Sequence, residues 1–466
     1  MSSIDNAWNT TPLTVDESAA SSSLISAKSV SRAGGESQVY RIFQYVLFLY
    51  LFMYVSRLPE LLPWFRIGLL MQPILLIGLV MTDQVKVLTK LRSTRWLIAT
   101  TLWIGICVPF SFWPGGSFAV LIKTVQSLFL VAFILAFVRS LRDVMRGVTI
   151  IGLASGAIAI LSFVASSQID NRQGLAGSAS LADPNFFALY LLIGGGFLCL
   201  VATESRGFLR FVAMALIPLN LAGIARSGSR AGLLTLVTGV IVFLIYGSIK
   251  QRTLIISACG VGLLLGVFFL PASIKARFTS LLSAGGAASS SEPERAEEEG
   301  FDANRGLTNY QASSEARMQL LRRSLLLTAK NPLFGVGPDQ FEGAEAEDAA
   351  KQGVKGMWHY THNTYTQISS ECGIPGFIMF TGALIFGYRG LSTLRRKGPT
   401  RRIRQMALFM QTTYLMLMVG AFFLSLGYGG LPFVMIGFSE AFKAGVRRYV
   451  QETPAPALQP ELSVAI

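Results

Sequence analysis

The sequence predicts an all-α polytopic membrane protein with about twelve transmembrane helices and one large outer loop between spans nine and ten. Three observations predict it. Of the 466 residues, 52% are hydrophobic and only 14% charged, and the mean hydropathy is +0.51, more apolar sequence than a soluble core of this length buries. Apolar runs approaching the roughly 20 residues that an α-helix needs to cross the hydrocarbon recur from Arg41 to Phe442. Lys and Arg collect on alternate connections between those runs, as the positive-inside rule requires of cytoplasmic loops.

In chain order the runs fall at about 41–56, 67–82, 96–113, 118–138, 147–167, 184–202, 208–225, 231–248, 253–271, 366–388, 405–425 and 429–442, the last being the shortest. Ahead of them, residues 1–40 are polar and Ser-rich. They lack a charged-then-apolar leader with a small-residue cleavage site, so the first span is expected to be retained and the tail disordered. Spans one to nine then form a membrane domain over 41–271, the outer loop occupies 272–365, spans ten to twelve occupy 366–442, and 443–466 is a cytoplasmic tail.

One set of connections, between Lys86 and Arg95, Arg139 and Arg146, Arg206 and Arg210, Lys250 and Arg252, Arg389 and Arg404, and Lys443 and Arg448, holds 21 basic residues. The opposite short connections hold five: Arg57, Arg66, Arg172, Arg226 and Arg230. Both termini are therefore expected in the cytoplasm, with the long loop outside. The net charge of +14 then reads as anchoring charge attracted by anionic membrane lipid and calls for no nucleic acid. Cys107, Cys199, Cys259 and Cys372 lie within or beside the runs without a CxxC pattern, so neither a disulfide framework nor a metal site is expected.

The outer loop divides by composition. A Gly/Ala/Ser/Glu-rich segment at 284–306 reads as a linker. Residues 314–330, SEARMQLLRRSLLLTAK, place Met318, Leu321, Leu325 and Leu326 near one helical face with Arg317, Arg322 and Arg323 elsewhere. That segment is either an ordinary packed amphipathic helix or a cover over a lipid-side cavity. It stops at Asn331-Pro332, and Phe334 to Pro338 reads as turns. No repeat of fixed period is present, which weighs against a transporter of duplicated halves.

Charges at the outer ends of spans are costly and mark candidate sites. Arg226 and Arg230 flank a Ser/Gly turn at the start of the eighth span, where guanidinia beside helix N–H groups suit an anion; snorkelling to the interface is the plainer reading. Lys123 sits about one and a half turns into the fourth span and is a candidate for holding a phosphate, again with snorkelling as the rival. Asp183-Pro184-Asn185 reads as a helix start, and Asn185 or the nearby Arg172 could in addition meet a sugar or phosphate. Both histidines of the chain, His359 and His362, lie in one hexapeptide before the tenth span. His362 is the candidate base and His359 a candidate substrate ligand; a zinc pair would lack a third ligand close by. Glu371 follows about two and a half turns later, too far for a direct dyad with His362, and is expected to pair with an arginine or to act separately.

Taken together, Ser227-Gly-Ser-Arg-Ala-Gly-Leu-Leu234, Asn331-Pro-Leu-Phe-Gly-Val-Gly-Pro-Asp-Gln-Phe341 and His362-Asn-Thr-Tyr-Thr-Gln-Ile-Ser-Ser-Glu-Cys-Gly-Ile-Pro-Gly376 resemble the O-antigen ligase and polymerase superfamily. The resemblance extends over about 170–390; the first five spans match in hydropathy alone. It implies a bacterial inner-membrane glycosyltransferase working at the periplasmic face. Such an enzyme takes a glycan from undecaprenyl pyrophosphate with inversion and without metal or other cofactor. The acceptor is either a growing glycan, as in O-antigen or exopolysaccharide polymerases, or the lipid A core, as in ligases. On this reading Arg230, with Arg226 and Lys123, holds the pyrophosphate, whose developing charge preorganised cations stabilise. His362 takes the acceptor proton or orients the acceptor, and the 314–330 helix brings Arg317 near phosphate over the lipid-side entrance. Arg172, Asn185, His359 and Glu371 are the further substrate-binding candidates. A transporter or flippase of lipid-linked glycans accounts for the spans and the cationic residues but not for an outer loop between spans nine and ten.

Overall fold

The computed structural model describes residues 38–61, 67–82, 91–169, 172–269, 271, 274–275 and 303–453. Its first half contains α1 (Gln38–Ser56), α2 (Leu58–Leu61), α3 (Ile67–Met81), α4 (Arg92–Cys107), α5 (Pro114–Phe137) and α6 (Leu141–Val164). A hairpin of β1 (Ser166–Ile169) and β2 (Arg172–Leu175) follows, then α7 (Pro184–Glu204), α8 (Phe208–Arg226), α9 (Arg230–Tyr246) and α10 (Ile249–Phe269). The second half contains α11 (Ala303–Lys330), α12 (Phe341–Lys351), α13 (Thr364–Lys397), α14 (Arg401–Gly420) and α15 (Gly430–Glu452).

Among the described residues, each expected apolar run overlaps a helix. Among the described residues six helices, α1, α5, α6, α7, α8 and α13, are long and apolar enough to cross a membrane, and the chain is an integral, essentially all-α membrane protein. The expected tail and linker segments 1–37, 284–302 and 454–466, with Arg66, Lys86 and Lys90, lie outside the described residues. Residues 443–452, expected as tail, continue α15.

Local chemistry sets the helix starts. Ser140 and Asp143 form a reciprocal capping box on α6, Thr400 accepts from the Ile403 N–H on α14, and Asp183 with Pro184 opens α7 as the sequence indicates. The helices then pack through large aromatic side chains, Phe133, Phe137, Phe187, Phe197, Tyr414, Phe433 and Phe438 all being fully buried. Small residues allow close approach: a Cβ at Gly194 would stand 2.0 Å from that of Ser155 on α6.

Two features differ from expectation. Where the sequence predicts a fifth span running to 167 with an outer connection after it, residues 166–169 and 172–175 pair as an antiparallel hairpin in the register Ser166↔Leu175. The outer loop gains α12, against which α11 packs through Leu320 and Leu327, with Val336, Phe341 and Ala344 completing a small separate core. Of the stripe picked out by periodicity, Met318, Leu325 and Leu326 remain exposed and Leu321 is half-buried. Leu320, Ser324 and Leu327 form an alternative row at helical spacing, and it is this row that meets α12. Ion pairs from Arg323 to Glu345 and from Lys330 to Asp348 fasten the two helices.

Candidate functional site

The turn between α8 and α9 is built from below. Arg172 of β2 donates from Nη2 to Asn185 Oδ1 (2.8 Å) and from Nε to the Ser227 carbonyl (3.1 Å). The Ser229 hydroxyl donates to the same Asn185 oxygen (2.8 Å) while accepting from the Gly232 N–H (3.0 Å) as the cap of α9. Asp183 fixes Asn185 in turn by accepting from its backbone N–H (2.7 Å). The hairpin, the start of α7 and the turn are thus one hydrogen-bonded unit. Arg226 ends α8 with its guanidinium 5.1 Å from the Phe163 ring centroid, and Arg230 is the first residue of α9. Arg172, Asn185, Arg226 and Arg230, separated in sequence, are gathered here.

A second unit joins the 331–341 segment to α13. Gly373 has φ 70 and ψ −178 and breaks that helix, and Pro375 has no N–H with which to satisfy the Glu371 carbonyl. The freed groups find partners across the seam: Gly337 N–H donates to Glu371 O (2.9 Å), Val336 N–H to Ser370 O (2.9 Å), and Ile374 N–H to Pro332 O (2.8 Å). Trp103 Nε1 donates to Cys372 O (2.8 Å). The Glu371 side chain, 1% exposed, accepts from the backbone N–H groups of Asp339 (3.1 Å) and Phe341 (3.4 Å); of the two expected roles, pairing with an arginine or acting separately, these contacts are with backbone groups. It holds Asp339 in a left-handed conformation (φ 60).

His362 lies between these units. Asn363 caps α13 by accepting from Tyr365 and Thr366 N–H, and Thr364 N–H donates to Ala421 O (2.8 Å), so the residue after His362 is fixed. His362 itself has φ 50, a sparsely populated conformation for a residue with a Cβ. Burial pushes its imidazole down to about 4, assisted by Arg317 and, less, by His359 and opposed by Asp183. It is therefore neutral at pH 7.

A further group surrounds the same end of the helices. Burial raises the Asp339 carboxyl and Lys123 counteracts this, which places the Lys123 ammonium within electrostatic reach of Asp339. Glu342 is raised by burial and by Asp339, and His359 lowers it; the Tyr360 phenol is raised by burial and by Asp339, Glu342 and Glu371. Sequence reading passed over Asp339, Glu342 and Tyr360. The signal for Asp339 was its place directly after the Gly-Val-Gly-Pro turn, where chain geometry fixes the backbone.

Residues 213–381 match a family model described as O-antigen ligase. Over this segment the chain is similar to the O-antigen ligase and polymerase superfamily. The ligase segment runs from α8 into α13 and takes in Arg226, Arg230, Arg317, Asp339, His359, His362 and Glu371; Lys123, Arg172 and Asn185 lie outside it. No curated protein sequence matches the chain. A solved structure described as "Structural coordination of polymerization and crosslinking by a peptidoglycan synthase complex" aligns at 14% identity and a TM-score of 0.40, covering 76% of this chain and 97% of that one.

Within the ligase segment the seam makes two predictions. A Cβ at Gly335 (φ +68) would stand 2.3 Å from the Glu371 carbonyl carbon, which cannot move without opening α13. Gly335→Ala should therefore cost at least about 1–3 kcal/mol and lower the thermal midpoint in detergent. Glu371→Leu should leave the Asp339 and Phe341 N–H groups unpaired, at about 1–3 kcal/mol each, whereas Glu371→Gln keeps an acceptor oxygen. Melting curves in which both Glu371 variants behave alike would contradict that assignment.

Proposed function

We propose that the chain is a periplasmic-face glycosyltransferase that moves a glycan from undecaprenyl pyrophosphate to an acceptor hydroxyl, inverting and without metal, as a polymerase or a ligase. The observation that carries this reading is a half-buried neutral imidazole, His362, acted on by Arg317 and lying in the matched segment that also holds Arg226 and Arg230. The twelve helices cross the membrane with both termini in the cytoplasm, and 272–365 faces the periplasm, as the basic residues on alternate connections support.

The reaction makes one bond and breaks one. The acceptor oxygen attacks the anomeric carbon from the face opposite the phosphate, and its proton passes to the neutral His362. The bond from the anomeric carbon to the phosphate oxygen breaks with its electron pair, releasing undecaprenyl pyrophosphate. Arg226, Arg230 and Lys123 stabilise the charge that accumulates there. Arg172 and Asn185 contribute by holding the arginine turn, and Arg317 by keeping positive charge near both phosphate and imidazole.

The test is purified protein in lipid discs with an undecaprenyl-pyrophosphate-linked repeat unit and EDTA, with and without lipid A core. A product ladder without core identifies a polymerase, and a single transfer that needs core identifies a ligase. Donor left unchanged in every tube, alongside its movement across the bilayer, would replace the reading with transport.

A further inference from the structure

At the opposite end of the helices from His362, a cavity of about 340 Å³ opens where α6 and α14 begin and α15 nears its end. Arg142, Arg146 and Arg402 line it together with Met145, Met406 and Tyr449. The proposed transfer reaction uses none of these residues.

The charge distribution in this cavity is uneven. Arg146 pairs with Asp143 at 3.4 Å and Arg402 with Glu204 at 2.6 Å, and both acidic side chains are nearly buried. Both guanidinium side chains nevertheless remain largely exposed, at 58% and 66%. Arg142, also exposed, adds a third positive charge. With two carboxylates against three guanidinia, the wall is net cationic. The remaining surface, chiefly Leu141, Met145, Ile403, Met406 and Tyr449 with Thr400 beside them, is mostly apolar and lies at the terminus of α6, one of the helices long enough to cross the bilayer.

A free anion would match the arginines and leave the apolar wall wetted; an acyl chain alone would match the wall and leave the arginines unused. We infer that this cavity binds an anionic phospholipid, its phosphate on Arg142, Arg146 and Arg402 and the upper part of an acyl chain against Met145 and Met406. Basic pockets between helices at a membrane boundary suit such headgroups, each nearby Lys or Arg strengthening the attraction several-fold. The site would fasten the starts of α6 and α14 to one another through the lipid.

The test uses the full-length protein, delipidated in detergent and titrated with phosphatidylglycerol, phosphatidylcholine or inorganic phosphate, with bound lipid counted by mass spectrometry and the thermal midpoint followed. Phosphatidylglycerol should be retained about tenfold or more over phosphatidylcholine. Arg142→Gln, which leaves both ion pairs intact, should reduce that preference several-fold, and adding Arg402→Gln should reduce it further. Equal retention of the two lipids, or no change in Arg142→Gln, would overturn the inference. Displacement of phosphatidylglycerol by millimolar phosphate, with equal thermal protection, would do the same by making the site one for free anions. The wild-type lipid comparison remains decisive should a variant fail to fold.

Discussion

His362→Ala should reduce glycan transfer by about 10²–10⁴-fold, the usual contribution of a positioned general base, while the protein still folds and inserts. Folding is expected to survive because the α13 start is held by Asn363 and Thr364 rather than by the imidazole. The pH dependence adds a signature that a structural histidine would not give. An unperturbed imidazole would lose basic function as pH falls through 6.5, whereas His362, brought down to about 4 chiefly by burial, should keep transfer nearly level from pH 8 to about 5.5. The sign for stability follows. The unfolded chain binds the proton below 6.5 and the folded one only near 4, so stability is complete above 6.5 and declines as pH falls through that window. Arg317→Gln removes a positive neighbour and should raise the acid limb of the rate profile. Full activity in His362→Ala would remove the residue from the mechanism.

Arg230→Ala should lower kcat by about 10²–10³-fold, the range found when one preorganised donor to a developing anion is removed. The kinetic form of the loss separates two roles. If the guanidinium meets pyrophosphate charge mainly as the sugar departs, kcat falls with little change in KM; if it grips the donor equally throughout, KM rises alone. Arg230→Lys keeps the charge but not the two-pronged geometry and should recover part of the rate. Ser229→Ala is the control for the turn: it removes the cap of α9 and one bond to Asn185, so it should cost about 1 kcal/mol of stability and a smaller share of the rate. Wild-type transfer by Arg230→Ala in lipid discs would exclude the residue.

Where a feature depends on neighbours in sequence, this chain states it openly. The apolar runs and the Asp183-Pro184 helix start each require only residues within one or two turns. Burial in hydrocarbon and the pairing of helix-end N–H groups are local demands. Both histidines and the Arg226–Arg230 turn were legible for the same reason, as charged or titratable groups placed beside a span.

Other features were settled only by contacts across the fold. Nothing near Arg172 announces that it will join Asn185 to Ser227, nor does anything near Glu371 announce that its carboxylate will hold the Asp339 and Phe341 N–H groups, 32 and 30 residues away. Two apolar rows run along α11, and sequence periodicity singled out Met318, Leu321, Leu325 and Leu326; packing with α12 buries Leu320 and Leu327 instead. The sequence by itself determined that the chain is a helical membrane protein and where its apolar runs lie, because transfer into lipid is a sum over consecutive side chains. The tertiary structure alone decided which of those charges meet, because a carboxylate or guanidinium is satisfied by whichever partner the packed helices bring within about 3 Å of it, however distant in the chain.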